Sequence, residues 1–166
     1  MIRHVIVLIV VAMGLHAVTV WYLPRLAMNT AMERMQSIGA QPNVIAHVPP
    51  TDETSRRVVR PSPDLLYSVC LLDLLDGPVR IHAADWGGYM SLSLFAANTD
   101  NVVAVNDEQI DGDIGLTVAD GDGADVDLRS ARGIAIIRRL VTNAQTLTRA
   151  DTVRRQDDIC ERVQPS

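Results

Sequence analysis

Lysine is absent. All 15 cationic side chains are arginine, and against 20 carboxylates they leave a formal net charge of -5 and a pI near 5.2. An acidic chain is a poor match for a polyanion, which disfavours nucleic acid as a partner. The uniform use of arginine reads as compositional bias and decides nothing about mechanism. Cysteine is scarce: Cys70 and Cys160 are too few for a metal cluster or a dense disulfide scaffold, and they leave room for one bridge if the domain is exported. Neither His47 nor His82 stands at metal-ligand spacing from another histidine. No Gly-x-Ser-x-Gly elbow is present, so the nearest thing to a hydrolase set is Ser68, His82 and Asp85, with no oxyanion donor indicated. His82 follows Arg80 and Ile81 in a short strand pattern and reads as a surface imidazole. No cofactor and no metal are expected.

Charge is also missing from residues 5–23, a run of 19 with no formally charged side chain. That is close to the roughly 20 residues a helix needs to cross a bilayer. Arg3 and His4 precede the run, Trp21 and Tyr22 stand at its far end where amphipathic rings favour the headgroup level, and Pro24 and Arg25 follow. A cleaved signal peptide is the rival reading. Leu15-His16-Ala17 is a poor cleavage site and the run is long, so an uncleaved signal-anchor is expected. The simplest topology keeps the short tail in the cytoplasm and exports the rest, although Arg25 and Arg34 weaken the charge asymmetry.

His16 lies near the middle of this span, where an imidazole must find a partner. Ala12, Gly14 and Ala17 let a neighbouring helix approach closely, and a hydrogen bond to that helix or to its own backbone is one reading. Axial ligation of a tetrapyrrole by His16 is the other, with Ala12 one turn earlier making room for the macrocycle.

Met28, Met32 and Met35 recur at helical spacing and predict a short juxtamembrane helix over residues 28–38, packed on lipid, a partner or the domain, with Gly39 ending it. Residues 41–63 carry Pro42, Pro49, Pro50, Pro61 and Pro63 and read as an extended connector without regular structure. Arg56, Arg57 and Arg60 in it read as a solvated linker or a contact to lipid headgroups.

Three strands are expected next, over residues 65–75, 79–83 and 89–97, punctuated by Asp76-Gly77-Pro78 and Asp85-Trp86-Gly87-Gly88. The first is apolar nearly throughout and suits a doubly covered strand; the last alternates Ser91 and Ser93 with Leu92 and Leu94. Further strands are read over residues 102–105, 114–119 and 133–137. Short, closely spaced strands predict an antiparallel sandwich or partial barrel. Residues 148–163 read as a helix capped by Thr148 with Asp151 three positions on. The carboxylates of residues 120–127 invite calcium, but the EF-hand register fails at Ala124, Asp125 and Ala131, and a solvent-exposed hairpin turn is expected. Nine carboxylates and no arginine fall between Asp100 and Asp127, then eight arginines and four carboxylates between Arg129 and Arg162. Such asymmetry fits a charge-matched protein partner, an internal pairing or a solvated face.

Asp64-Leu-Leu-Tyr67-Ser68, then Asp73-Leu74 with Gly77-Pro78-Val79, then Gly87-Gly88-Tyr89-Met-Ser91 resemble the start of the bacterial family called domain of unknown function 1254. That family shows an Asn-Arg-Asp-Thr-Leu-Tyr-Ser strand, an Asp-Leu…Gly-Pro-Val turn and a Gly-Gly-Arg-Tyr hairpin in this order. The run from Ile134 through Arg138 to Asp157 is similar to its later arginine-bearing strand and the helix after it. The resemblance covers roughly residues 61–163. Ser62 and Pro63 stand where the family has Asn-Arg, so a site lined by that pair would be altered. Many members continue into a second β-rich domain, and the resemblance implies a first half whose counterpart is another chain. Around Tyr67 and Asp73 the likeness is densest.

The expectation is a mainly β chain: a transmembrane helix over residues 1–25, a juxtamembrane helix and proline-rich linker over 26–63, and a β-sandwich-like exported domain with a C-terminal helix over 64–166. Its expected role is a non-catalytic accessory or assembly subunit of an integral-membrane complex, single-pass in the bacterial inner membrane and facing the periplasm. A ligand-binding or hydrolase-like protein with a pocket near Tyr67 and Asp73 is the alternative, and a tetrapyrrole-binding subunit using His16 is the third.

Overall fold

In the computed structural model, which describes residues 2–51 and 61–163, the apolar N-terminal run and the methionine-spaced segment form one helix, α1 (Ile2–Ser37). Its 36 residues extend about 54 Å at 1.5 Å per residue. Pro24 lies inside it and removes one amide donor without dividing the element. An 18-residue window has mean hydropathy 2.3 and is wholly uncovered by the rest of the chain, so the helix is long and apolar enough to cross a membrane. Gly39 ends the run at φ +101°, and Ile38, Gly39 and Ala40 donate back to Met35 and Gln36 carbonyls. Arg56, Arg57 and Arg60 lie outside the described residues.

Nine strands and a second helix follow among the described residues. They are β1 (Ile45–His47), β2 (Leu65–Asp73), β3 (Val79–Ala83), β4 (Met90–Ala96), β5 (Asn101–Asn106), β6 (Ile114–Ala119), β7 (Val126–Asp127), β8 (Arg132–Leu140), α2 (Ala144–Asp157) and β9 (Ile159–Arg162). One sheet runs β1-β2-β8-β4-β5, the other β7-β6-β3-β9. Every pairing is antiparallel except β6 with β7. Helix and strand content are about equal, and the folded domain is a β-sandwich with a C-terminal helix.

Strand period sorts the side chains. On β2, Leu66, Cys70 and Leu72 face the second sheet and join Leu92, Leu94, Ile137, Val79, Ile81 and Ile114 in the core. The alternate residues Val69 and Leu71 face the other way, where Met28 and Met32 of α1 cover them together with Ile134. This is why β2 reads as apolar on both faces. At Gly133 a Cβ would strike the Phe95 carbonyl oxygen and the Leu128 side chain, so glycine lets β8 lie close to β4. Cys70 and Cys160 are disulfide-bonded and tie β2 of one sheet to β9 of the other across a separation of 90 residues.

Three expectations are corrected. The connector over residues 41–63 contains β1, because Asn43 donates its backbone N–H to Leu71 O and its side chain exchanges hydrogen bonds with the Asp73 backbone, aligning the chain beside β2. The C-terminal helix starts earlier than residue 148, since Asn143 caps it and Thr146 completes a reciprocal capping box. It also stops at Asp157, and Ile159 to Arg162 pair with β3 as strand because Cys160 is drawn into the core. Residues 120–127 are not a hairpin turn: the loop folds back so that β7 lies parallel to β6.

Candidate functional site

Trp21 and Tyr22 sit seven and six residues before Met28 on one continuous helix, and the candidates on its apolar length, Ala12, Gly14, His16, Trp21 and Tyr22, are all exposed on its surface. Arg25 folds back, stacking its guanidinium 4.3 Å from the Trp21 ring centroid and bonding to the Trp21 carbonyl. About 9 Å of helix rise then separates this aromatic level from the first methionine docked on the sheet. Beside that contact lies a cleft of about 390 Å³ lined by Asn29, Met32, Glu33, Gln36, Asp73 and Arg132 among others.

Asp73 spends one carboxylate oxygen on Leu75 N at 3.2 Å and faces Arg132 Nε at 3.8 Å with the other. Tyr67 does not line this cleft. It pairs across the sheet with Arg138, which in turn opposes Ser91. Arg138 donates to Ser93 Oγ at 2.9 Å and has no carboxylate partner among the described residues. Tyr67 Oη accepts from Ser62 N at 3.1 Å. Asp64 closes the strand end by accepting Val141 N on its carbonyl. Gly77, at φ +127°, turns the chain into Pro78 and β3. Trp86 donates its indole N–H to the Tyr89 carbonyl and covers Gly88, where a Cβ would strike the ring. The motif residues thus divide between a polar row on the outer face of the first sheet and the turns at its ends, except Ser68, which is buried with the inward parity of Leu66 and Cys70.

Ser68, His82 and Asp85 are not brought together. Ser68 is buried in the first sheet, His82 sits on the second with Nε2 3.5 Å from Asp113, and Asp85 caps Gly87 N at 2.7 Å. The imidazole beside Ser68 Oγ is His47 Nδ1, at 3.0 Å, so His47 is not the isolated side chain its linker position implies. Burial, reinforced by the Arg154 charge, holds the His47 pKa below its ordinary value. The Asp120 to Asp127 carboxylates serve the backbone: Asp125 accepts Thr117 N, and Asp127 accepts Gly121 N and Arg129 N, two bonds that lower its pKa. Among the described residues no group of three or more His, Cys, Asp or Glu side chains is placed to hold a metal ion.

Buried arginines were missed. Arg139 is 1% exposed and grips Asp158 with two bonds of 2.8 and 2.6 Å, while Asp158 also accepts Ala84 N and Arg139 reaches Ala84 O. Arg154 of α2 is fully buried and donates to Tyr67 O and Val48 O while pairing with Asp151. It holds α2 against β1 and β2 through their backbones. Strand period offered one signal, because Arg139 shares the inward parity of Ala135 and Ile137.

No curated protein matches the sequence. Among solved structures, the VPA0106 protein of Vibrio parahaemolyticus superposes with a TM-score of 0.62 at 16% identity, over 89% of this chain and 40% of that one. This shows a shared fold. An uncharacterized protein of Burkholderia cenocepacia is similar over 88% of this chain and 42% of its own, at 15% identity and a TM-score of 0.49. The chain therefore spans less than half the length of either protein. Its apolar N-terminal helix, signal or anchor, together with the disulfide marks it as exported or membrane-associated. The model of a family described as protein of unknown function DUF1254 matches residues 42–160, and the chain belongs to that family.

Proposed function

We infer that the protein is a non-catalytic, membrane-anchored accessory or assembly subunit of an integral-membrane complex. One observation carries the reading: a single helix runs from an uncovered apolar length into Met28 and Met32, which are packed on the sandwich. Such a helix holds the domain against the headgroup layer instead of letting it swing on a linker. The apolar length then offers Ala12, Gly14 and His16 to a neighbouring helix, the imidazole donating or accepting one interhelical hydrogen bond. The domain faces the periplasm of the bacterial inner membrane, where an oxidising environment keeps Cys70 and Cys160 joined. Its partner is an integral-membrane protein.

The cleft beside Asp73 supports the ligand-binding alternative less well. Glu33, Asp73 and Arg132 make its lining polar, and small-molecule sites are mostly apolar with a few convergent polar groups. Mass spectrometry of the native assembly released in mild detergent tests the main reading: co-purifying integral subunits are expected, and a monomer would overturn it. An absorption spectrum of the same sample without a Soret or chlorin band would remove the tetrapyrrole reading of His16.

A further inference from the structure

Helical spacing puts Asn29, Glu33 and Gln36 on one flank of α1, about 100° round from the methionines docked on the sheet. That flank is one wall of the cleft of about 390 Å³, and Asp73 and Arg132, paired across the ends of β2 and β8, stand on the other. The apolar part of the lining is buried: Met32, Leu71 and Leu72 belong to the core.

Asp73 is held in place by its neighbours. The Asn43 side chain donates to Asp73 O at 2.7 Å and accepts Asp73 N at 2.9 Å, while Leu75 N donates to Asp73 Oδ1 at 3.2 Å. Asp73 Oδ2 is left facing Arg132 Nε at 3.8 Å, which is beyond hydrogen-bond reach. Neither terminal nitrogen of Arg132 has a hydrogen-bond partner among the described residues, and neither do the side chains of Asn29, Glu33 and Gln36. Charges of both signs, each short of a partner, suit a ligand that carries both signs itself. The guanidinium offers two parallel donors to the oxygens of an oxyanion, and a carboxylate favours an ammonium group. The polarity that disfavours an apolar ligand is what such a zwitterion requires.

We propose that the cleft binds a phosphoethanolamine group, its phosphate on Arg132 and its ammonium on Glu33. Asp73 Oδ2 keeps the guanidinium aimed across the cleft, and the Asn29 and Gln36 amides complete the polar wall. Because Glu33 stands on the helix and Arg132 on the sheet, the ligand's two charges must be far enough apart to span the walls. A two-carbon arm and an ester oxygen provide that separation, whereas an α-amino acid holds its charges one carbon apart. Two sources present this group beside a membrane, a phosphatidylethanolamine headgroup and a soluble glycerophosphodiester. Asn29 lies seven residues beyond Tyr22, about 10 Å of helix rise from the aromatic level, so the near end of the cleft adjoins the headgroup layer. The proposal needs only α1 docked on the sheet and stands apart from the accessory-subunit reading.

The test titrates the full chain, in a maltoside detergent, with glycerophosphoethanolamine and reads the heat. Saturable one-to-one binding is expected, about tenfold tighter than for glycerophosphoglycerol, which lacks the ammonium, or for glycine, which cannot span the walls. Glu33→Gln should weaken the probe about tenfold and bring it level with glycerophosphoglycerol, whereas Arg132→Gln should weaken both diesters. Both side chains are exposed, so the two variants should melt close to the wild-type temperature. Nanodiscs of phosphatidylethanolamine that block the probe, where nanodiscs of phosphatidylglycerol leave it free to bind, assign the group to lipid. Binding of the probe in both assigns it to a soluble diester. No heat with glycerophosphoethanolamine, equal binding of glycerophosphoglycerol or glycine to the wild-type chain, or binding untouched by either substitution overturns the proposal. Co-purification of integral subunits is a separate readout, so either reading can fail while the other stands.

Discussion

Asp158 is the only carboxylate within reach of Arg139 among the described residues, and both are buried, so each is tolerable only because of the other. Removing one partner of such a pair costs about 3–5 kcal/mol, because the remaining charge stays desolvated. Asp158→Ala should therefore lower stability by about that amount in thermal unfolding, whereas Arg139→Met/Asp158→Leu together should cost clearly less. His47 yields a pH dependence. Its folded pKa lies below the ordinary 6.5 because burial, and then the Arg154 charge, disfavour the imidazolium. The unfolded chain then binds the proton more readily, so this contribution is complete above pH 6.5 and declines as pH falls through the folded value. A melting-temperature series between pH 7 and 5 should slope downward, and His47→Gln should flatten it. Neither residue stood out in the sequence. A proline-rich neighbourhood hides that His47 belongs to a strand, and only the partner's position shows why an arginine at an inward parity is compatible with a core.

Among elements, the strands were the most legible. Alternation of Ser91 and Ser93 with apolar neighbours located β4 to within a residue at each end, and Asp76-Gly77-Pro78 correctly separated β2 from β3. Residues 148–163 were less so, because Val153, Ile159 and Val163 fit a helical stripe while Cys160 belongs to a strand whose place is set by Cys70 ninety residues away. That bond fixes the last strand of the second sheet. A closed loop of this size is worth about 4–5 kcal/mol by the chain-entropy estimate. Cys70→Ala/Cys160→Ala should accordingly unfold at a markedly lower temperature than the oxidised protein, and reductant should reproduce the shift. Insensitivity to reductant would mean that β9 is held by its pairing with β3 alone.

For the whole molecule, the decisive relation is between α1 and the sandwich. If the helix is resident, the protein stays in the membrane pellet after alkaline carbonate extraction. A soluble form whose N-terminus lies after Ala17 would show that the helix is a removed signal. Met28→Asp/Met32→Asp should leave the protein in the pellet while exposing the segment around Gly39 to protease, since Met28 and Met32 are the buried α1 side chains packed with Val69 and Leu71 on that face.

The sequence by itself determined that an uncharged apolar helix precedes a domain of short strands, because span length and strand period are local properties of neighbouring side chains. It also carried the family likeness, in turn motifs that are local too. Only the tertiary structure decided that α1 continues onto the sheet, that His47 meets Ser68, that Arg139 finds Asp158, and that β5 is left at an edge. Each of those depends on which distant segments become neighbours, and sheet order is set by packing of the whole chain, which no single stretch encodes.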